Sequence, residues 1–443
     1  MRRQVVICLF LFTVAFAVRF LVWQNNKVEM GTVQSVVTEN YLRDAHALAS
    51  GDIRTFLAGD DPPTNARVID HPPGYPLLIG IVDVIGTDEL WRYIQFALNS
   101  LAAVLVFLIA AALFSGSKAV VAALLTAFSP QLAYHSGIML PDEMTVLPIL
   151  AAVYFFVLSL RDARLRNAIL CGFFLGVSCW LRSNALLLPV FFAVSAFVVI
   201  ASGNRVRFAA LMLAGFAATI APITIRNAVY FNNFIPLSLG SGTTFVEGLG
   251  DIDDGSRGLP RTDENVMLLD AKLDGSGKQY SSLYDPNGVE RDRRRSDYGL
   301  SAVRAEPFWF ARGVAMRGLS TLRLERVPAI APERDERETT NPLFYWPNRP
   351  LKFLQQTVIT AVFMPLVLLG LAVIAFRRGW RELIVILIVP LYYATVQPLV
   401  HTEYRYVLAT PHMLMVPAAV ALCWLFGKIV AAVGRDRERA SDP

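Results

Sequence analysis

The chain has 443 residues, of which 54% are hydrophobic and only 17% charged, with 41 Lys and Arg against 36 Asp and Glu. A soluble chain of this size carries about 25% charged residues, so the composition excludes an ordinary water-soluble protein and points to a polytopic membrane protein. The net charge of +5 is no signal for nucleic acid, because basic residues collect in the cytoplasmic loops of membrane proteins.

Met1-Arg2-Arg3 precedes an apolar run from Val5 to Trp23. That run is long for a signal-peptide core and has no small-residue cleavage site, so it reads as the first transmembrane helix, with a cytoplasmic N-terminus. Residues 24–89 then form a first outer loop. Within it, Val37 to Gly51 has a helical pattern suited to the membrane interface and carries Glu39, Tyr41, Arg43, Asp44 and His46. Asp70-His71-Pro72-Pro73-Gly74-Tyr75-Pro76-Leu77-Leu78 follows. The apolar stretch 72–86 falls short of the ~20 residues needed to cross a bilayer. It reads as a re-entrant segment that returns to the same side; the plainer alternative is a short helix with a proline N-terminus.

Nine further spans are expected at Leu90–Phe114, Ala119–His135, Met144–Leu160, Asn167–Leu181, Ala185–Ser202, Phe208–Ile225, Phe353–Phe376, Leu383–Pro398 and Val407–Phe426. Each short loop this assigns to the cytoplasm holds Lys or Arg, as at Lys118, Arg161 and Arg377. A crossing segment 72–86 would move those clusters outside, so the positive-inside rule favours re-entrance. The expected organisation is an all-α polytopic membrane protein of about ten transmembrane helices. It divides into a transmembrane core over 1–225, a large extracytoplasmic loop domain of mixed structure over 226–352, C-terminal transmembrane helices over 353–426 and a basic cytoplasmic tail over 427–443. Pro307 to Leu324 interleaves aromatic residues with Arg312, Arg317 and Arg323, which suits either a membrane surface or packing within the loop domain.

Cys8, Cys171, Cys179 and Cys423 all lie in apolar runs and read as small core residues. No Walker A or GxGxxG sequence stands in a strand–helix context, which argues against an ATPase. On the outer side the span ends gather Glu39, Asp44, Asp70, His71, Asp142, Glu143, Arg182, Arg226, His401, Glu403 and Arg405. Each alone is most simply a solvated or snorkelling charge. Together, carboxylates able to take a proton from a hydroxyl and cations able to hold a phosphate suit acid–base chemistry beside an anionic leaving group. The carboxylates are too dispersed in sequence to name a metal site.

Several short stretches also carry a resemblance. They are His71-Pro72-Pro73-Gly74-Tyr75-Pro76-Leu77-Leu78, Trp91-Arg92-Tyr93-Ile94-Gln95, Ser136 to Asp142, Leu181-Arg182, Pro222 to Asn227 with Phe234 to Ser238, and Glu403-Tyr404-Arg405-Tyr406. In this order they resemble the polyprenyl-phosphate-dependent glycosyltransferases of the GT-C fold, in the protein-mannosyltransferase and aminoarabinose-transferase superfamily. The resemblance implies a hexosyl- or pentosyltransferase that moves a sugar, with inversion, from a polyprenyl-phosphate-linked donor to a glycolipid, cell-envelope polysaccharide or protein. It would act on the extracytoplasmic face of the cell membrane, with both termini cytoplasmic. Its partners would be that donor, the acceptor and the lipid bilayer, without nucleic acid. No cofactor is expected, with a divalent metal left open.

The family's base usually stands four residues before a Tyr that matches Tyr41; here that position is Val37. Glu39 is therefore taken as the base ahead of Asp44, with Asp142 orienting the acceptor and Glu143 beside it. His71, Arg182, Arg226, His401, Arg405 and Tyr406 are taken as the donor-phosphate site. Rival classes are a transporter or flippase of lipid-linked saccharides, which would need mid-span ionisable residues and inverted repeats, and a scaffold that binds a partner through its outer domain.

Overall fold

The computed structural model describes residues 2–86, 88–114, 116–162, 164–201, 203–275, 277, 280–321 and 362–441. Over these residues the chain is helical with no strand, so the described part of the outer domain is helical where a mixed structure was expected. The part expected as the transmembrane core is built from α1 (Arg2–Thr32), α5 (Asp88–Leu113), α6 (Gly116–Ala127), α7 (Pro130–Gly137), α8 (Val146–Arg161), α9 (Leu165–Leu181), α10 (Leu188–Val199) and α11 (Arg205–Phe231). It is completed by α16 (Met364–Phe376), α17 (Trp380–Thr395) and α18 (Ala409–Ser441). The segment expected as the first outer loop folds as α2 (Ser35–Ala49), α3 (Ile53–Ala58) and α4 (Gly74–Asp83). The outer domain holds α12 (Ser241–Ile252), α13 (Asp263–Leu273), α14 (Gly288–Ala305) and α15 (Pro307–Thr321).

Among the described residues five helices are long and apolar enough to cross a membrane: α1, α5, α11, α17 with its continuation to Leu399, and α18. Five of the six shorter apolar helices coincide with expected spans, and the sixth is α4. At ten residues α4 rises about 15 Å, half a bilayer core. Two boundaries differ from expectation. The third span is broken: Ser129 caps α7, accepting from the Leu132 amide, and Pro130 takes the first helical position, so α6 and α7 are separate helices. The first span runs on to Thr32 through a kink at Asn26. Residues 353–361 of the eighth span lie outside the described residues.

Helix packing uses small residues where backbones approach. A Cβ on Gly172 of α9 would stand 1.9 Å from the Met212 carbonyl oxygen of α11, and one on Gly370 of α16 would stand 1.8 Å from the Pro417 carbonyl oxygen of α18. The same device seats α4: Gly74 lies under the Trp180 carbonyl at the end of α9, and Gly80 under the Ala45 carbonyl of α2. His46 of α2 and Asp83 of α4 close that pair at 2.7 Å.

Backbone bonds join the outer domain to the first loop. The Leu239 amide donates to Ile69, Ala66 to Tyr284, and Asn287 to Thr64. Asn227, near the end of α11, donates to the Ile235 and Leu237 carbonyls and fixes how the chain leaves the membrane. Inside the domain, Asp270 accepts from both Arg291 and Arg295. The Asp292 carboxylate accepts from the Gly242 and Thr243 amides at the start of α12, where it complements the helix dipole.

Candidate active site

Tyr75, at the start of α4, anchors the site wall. Its hydroxyl donates to Gln95 of α5 at 2.7 Å, and Gln95 donates to the Ser136 and Ile138 carbonyls. Tyr41 of α2 packs edge-on against Tyr75 and lies beside the His71 ring, with centroids 5.1 and 5.2 Å apart. The His-Pro-Pro-Gly-Tyr stretch thus presents His71 where the first, second and last outer segments meet. His71 Nε2 is 3.7 Å from Asp70. Burial pushes its pKa down despite Asp70, with Arg182 adding to the fall, which favours the neutral imidazole.

On one side of His71 stand Asp142, Arg182, Arg405 and Tyr406. Arg182 Nε is 3.2 Å from Asp142, and its guanidinium lies over the Tyr406 ring at 4.3 Å. Arg405 stacks on the same ring at 5.1 Å and pairs with Glu403 at 2.7 Å. The Tyr406 hydroxyl donates to Glu403 at 3.2 Å. Two guanidiniums therefore share one phenol ring. Burial alone would lower the pKa of Arg405, but Asp142, Tyr406 and Glu403 hold it above its ordinary value. Neither Asp142 oxygen has a hydrogen-bond partner among the described residues.

On the other side of His71 is a cavity lined by Asn40, Asp44, Arg67, Asp70 and Arg226. Asp44 faces Arg67 at 3.5 Å. Burial pushes its carboxyl up to about 7, against the pull of Arg43 and Arg226. The Arg226 Nη1 atom has no partner among the described residues, while its other nitrogens bond Asn227.

Not every expected residue joins this group. Glu39 is exposed on α2 and is not among the cavity's lining residues; five residues from Asp44, it falls on a different helix face. Glu143 turns inward from Asp142. It is fully buried, 3.8 Å from Arg19 of α1 and 3.3 Å from His412 of α18, as a cation inside a helix bundle requires. His401 is not free to bind a phosphate, because its two ring nitrogens face Asp251 at 2.7 Å and Glu403 at 3.6 Å. Arg67, Asp251, Arg19 and His412 went unflagged in the sequence. Arg19, an arginine within an apolar run, carried a signal; Asp251, in a turn-rich segment, carried none.

Among the described residues no three His, Cys, Asp or Glu side chains converge as metal ligands. Two of the site's carboxylates, Asp142 and Asp44, each face a guanidinium.

No curated protein sequence matches this chain. Among solved structures, the archaeal oligosaccharyltransferase AglB from Archaeoglobus fulgidus, in complex with an inhibitory peptide and a dolichol-phosphate, is 15% identical. It matches over 99% of this chain and 52% of its own, with TM-score 0.53. Its apo form is 16% identical over the same shares, with TM-score 0.54. The chain thus spans about half the length of the structures whose fold it shares. ArnT from Cupriavidus metallidurans bound to undecaprenyl phosphate is 14% identical over 93% of this chain and 77% of its own, with a TM-score of only 0.37. The chain is a polytopic membrane protein with the GT-C fold, and residues 70–230 match the family of dolichyl-phosphate-mannose-protein mannosyltransferases.

Proposed function

We propose that the protein transfers a sugar, with inversion, from a polyprenyl-phosphate-linked donor to a hydroxyl acceptor on the extracytoplasmic face of the membrane. The observation that carries this reading is the pair Arg182 and Arg405 stacked on Tyr406 beside Asp142, with His71 joining them to the Asp44 cavity. Two fixed guanidiniums suit a phosphate as ligand and as leaving group, because their forks match its oxygens and need no deprotonation. Arg226, with an unpartnered nitrogen, adds a third cation on the cavity side.

Asp44 replaces Glu39 as the proposed base. A carboxyl raised to about 7 accepts a proton at neutral pH and is far more basic than an ordinary aspartate. The acceptor hydroxyl loses its proton to Asp44 as its oxygen attacks the anomeric carbon. The bond from that carbon to the phosphate oxygen breaks, and its electron pair leaves with the polyprenyl phosphate. Asp142, whose Oδ1 pairs with Arg182 and whose Oδ2 has no hydrogen-bond partner among the described residues, orients a sugar hydroxyl.

The buried set Arg19, Glu143 and His412 favours a second reading, transport of a lipid-linked saccharide, because intramembrane charges often line transport paths. Purified protein in liposomes containing a native lipid extract separates the two. A transferase converts a polyprenyl-linked sugar to free polyprenyl phosphate when acceptor is present. Movement of an intact lipid between leaflets, with no conversion, would support the transporter instead.

A further inference from the structure

The outer-domain helix α12 touches the end of the donor-binding loop at one point. The Thr244 carbonyl accepts from the His401 amide at 2.7 Å, and Gly248 lies against that same amide. One turn on, Asp251 takes His401 Nδ1 at 2.7 Å. Arg317 of α15 ties the two segments, donating to the Gly248 and Val400 carbonyls at 2.7 and 3.1 Å. From Asp251 the charges alternate: His401 Nε2 lies 3.6 Å from Glu403, and Glu403 lies 2.7 Å from Arg405.

We propose that Asp251 is a positioning residue of the donor site, acting through His401 and Glu403 on Arg405. The assignment rests on the reading of Arg405 as a phosphate ligand. Glu403 is shared by three groups: His401, Arg405 and the Tyr406 hydroxyl. With a neutral His401, Glu403 would spend its charge on Arg405 alone and cancel the cation the donor needs. With Asp251 holding His401 as an imidazolium, Glu403 is divided between two cations, and Arg405 keeps a net positive face toward Asp142 and the donor.

Burial alone would lower the pKa of His401, but the hydrogen bonds to Asp251 and Glu403 raise it to about 10. Burial would raise Glu403, but His401 and Arg405 bring it down to about 2. The other titratable groups beside His401 are Glu247 on α12 and Tyr406 on its own loop. Arg317 faces Asp251 rather than the ring.

The test compares the full-length protein with Asp251→Asn and Asp251→Glu variants. Histidine NMR titration, with the His401 signal assigned by a His401→Gln variant, reads the first link and needs no donor. His401 should stay charged through about pH 8 in the parent and titrate at least about two pH units lower in Asp251→Asn. Binding of undecaprenyl phosphate in detergent, with undecaprenol as the uncharged control, reads the second. The parent's affinity should stay nearly flat from about pH 7 to 9. That of Asp251→Asn should fall roughly tenfold across that window, the effect of discharging one neighbouring cation. Asp251→Glu should restore both behaviours, which a loss of folding would not allow. An unshifted His401 titration in Asp251→Asn, or a shifted one with a flat affinity profile, overturns the proposal. A parent that binds the phosphate no better than the alcohol overturns the donor reading itself.

Discussion

Asp44 and Glu39 share one helix and meet opposite surroundings: Glu39 is exposed, and Asp44 faces Arg67 in a buried cavity. Asp44→Asn should lower turnover by ~10²–10⁴, with donor affinity nearly kept, while Glu39→Gln should stay near the parent. Measurement of kcat and donor affinity for both decides the base. The parent's kcat/KM should rise with pH through about 7, because only the deprotonated carboxylate accepts a proton, and Asp44→Asn should lose that limb. Stability runs the other way. The folded-state pKa of about 7 lies above the ordinary ~3.9, so the contribution of Asp44 is full below about pH 4 and is lost as pH rises through 7. Asp44→Asn should therefore be at least as heat-stable as the parent at pH 8. Arg405→Ala should weaken polyprenyl phosphate binding ~30- to 1000-fold at unchanged protein level, the cost of a charge-assisted contact in a partly dry site. Titration calorimetry or a competition assay reads it, and an unchanged affinity removes Arg405 from the site. The sequence carried the cast of charged residues at the span ends but not their facing. Nothing in Asp142-Glu143 tells that one side chain looks outward to Arg182 and the next inward to Arg19 and His412.

At the scale of elements, hydrophobic run length and flanking charge were enough to locate nearly every apolar helix, because a bilayer fixes the required length. They failed where local backbone chemistry intervened, as when Ser129-Pro130 starts a new helix inside an apolar run. They also left the packing partner of α4 open. That partner is set by Gly74 and Gly80, whose missing side chains admit the Trp180 and Ala45 carbonyls. Gly74→Ala should displace α4 from α9, since the added carbon would lie 2.4 Å from the Trp180 oxygen. Thermal unfolding in detergent should show a loss of ~1–3 kcal/mol, and donor affinity should fall with the shift of His71. Gly31→Ala meets nothing within 4 Å and serves as the control. The length of α4 further predicts that cysteines at Pro63 and Ile85 label from the same, outer side of the membrane. Labelling of position 85 only from the cytoplasm would make α4 a crossing helix.

For the whole molecule, the proposed site draws on the α12–α15 segment and the apolar helix bundle together. The proposed phosphate-binding cations come from the end of α9 and from the loop before α18, the proposed base from α2, and the loop's support from α12. None of these segments holds a site alone, which is why no short stretch of sequence spelled it out. The central claim is that the protein consumes a polyprenyl-linked sugar. The most direct measurement is mass spectrometry of lipid extracts from a strain that lacks the protein, compared with the same strain carrying the parent or Asp44→Asn. The account predicts that a polyprenyl-phosphate-linked sugar accumulates without the protein, disappears with the parent and accumulates again with Asp44→Asn. An extract in which polyprenyl-linked sugars are the same in all three strains would contradict it.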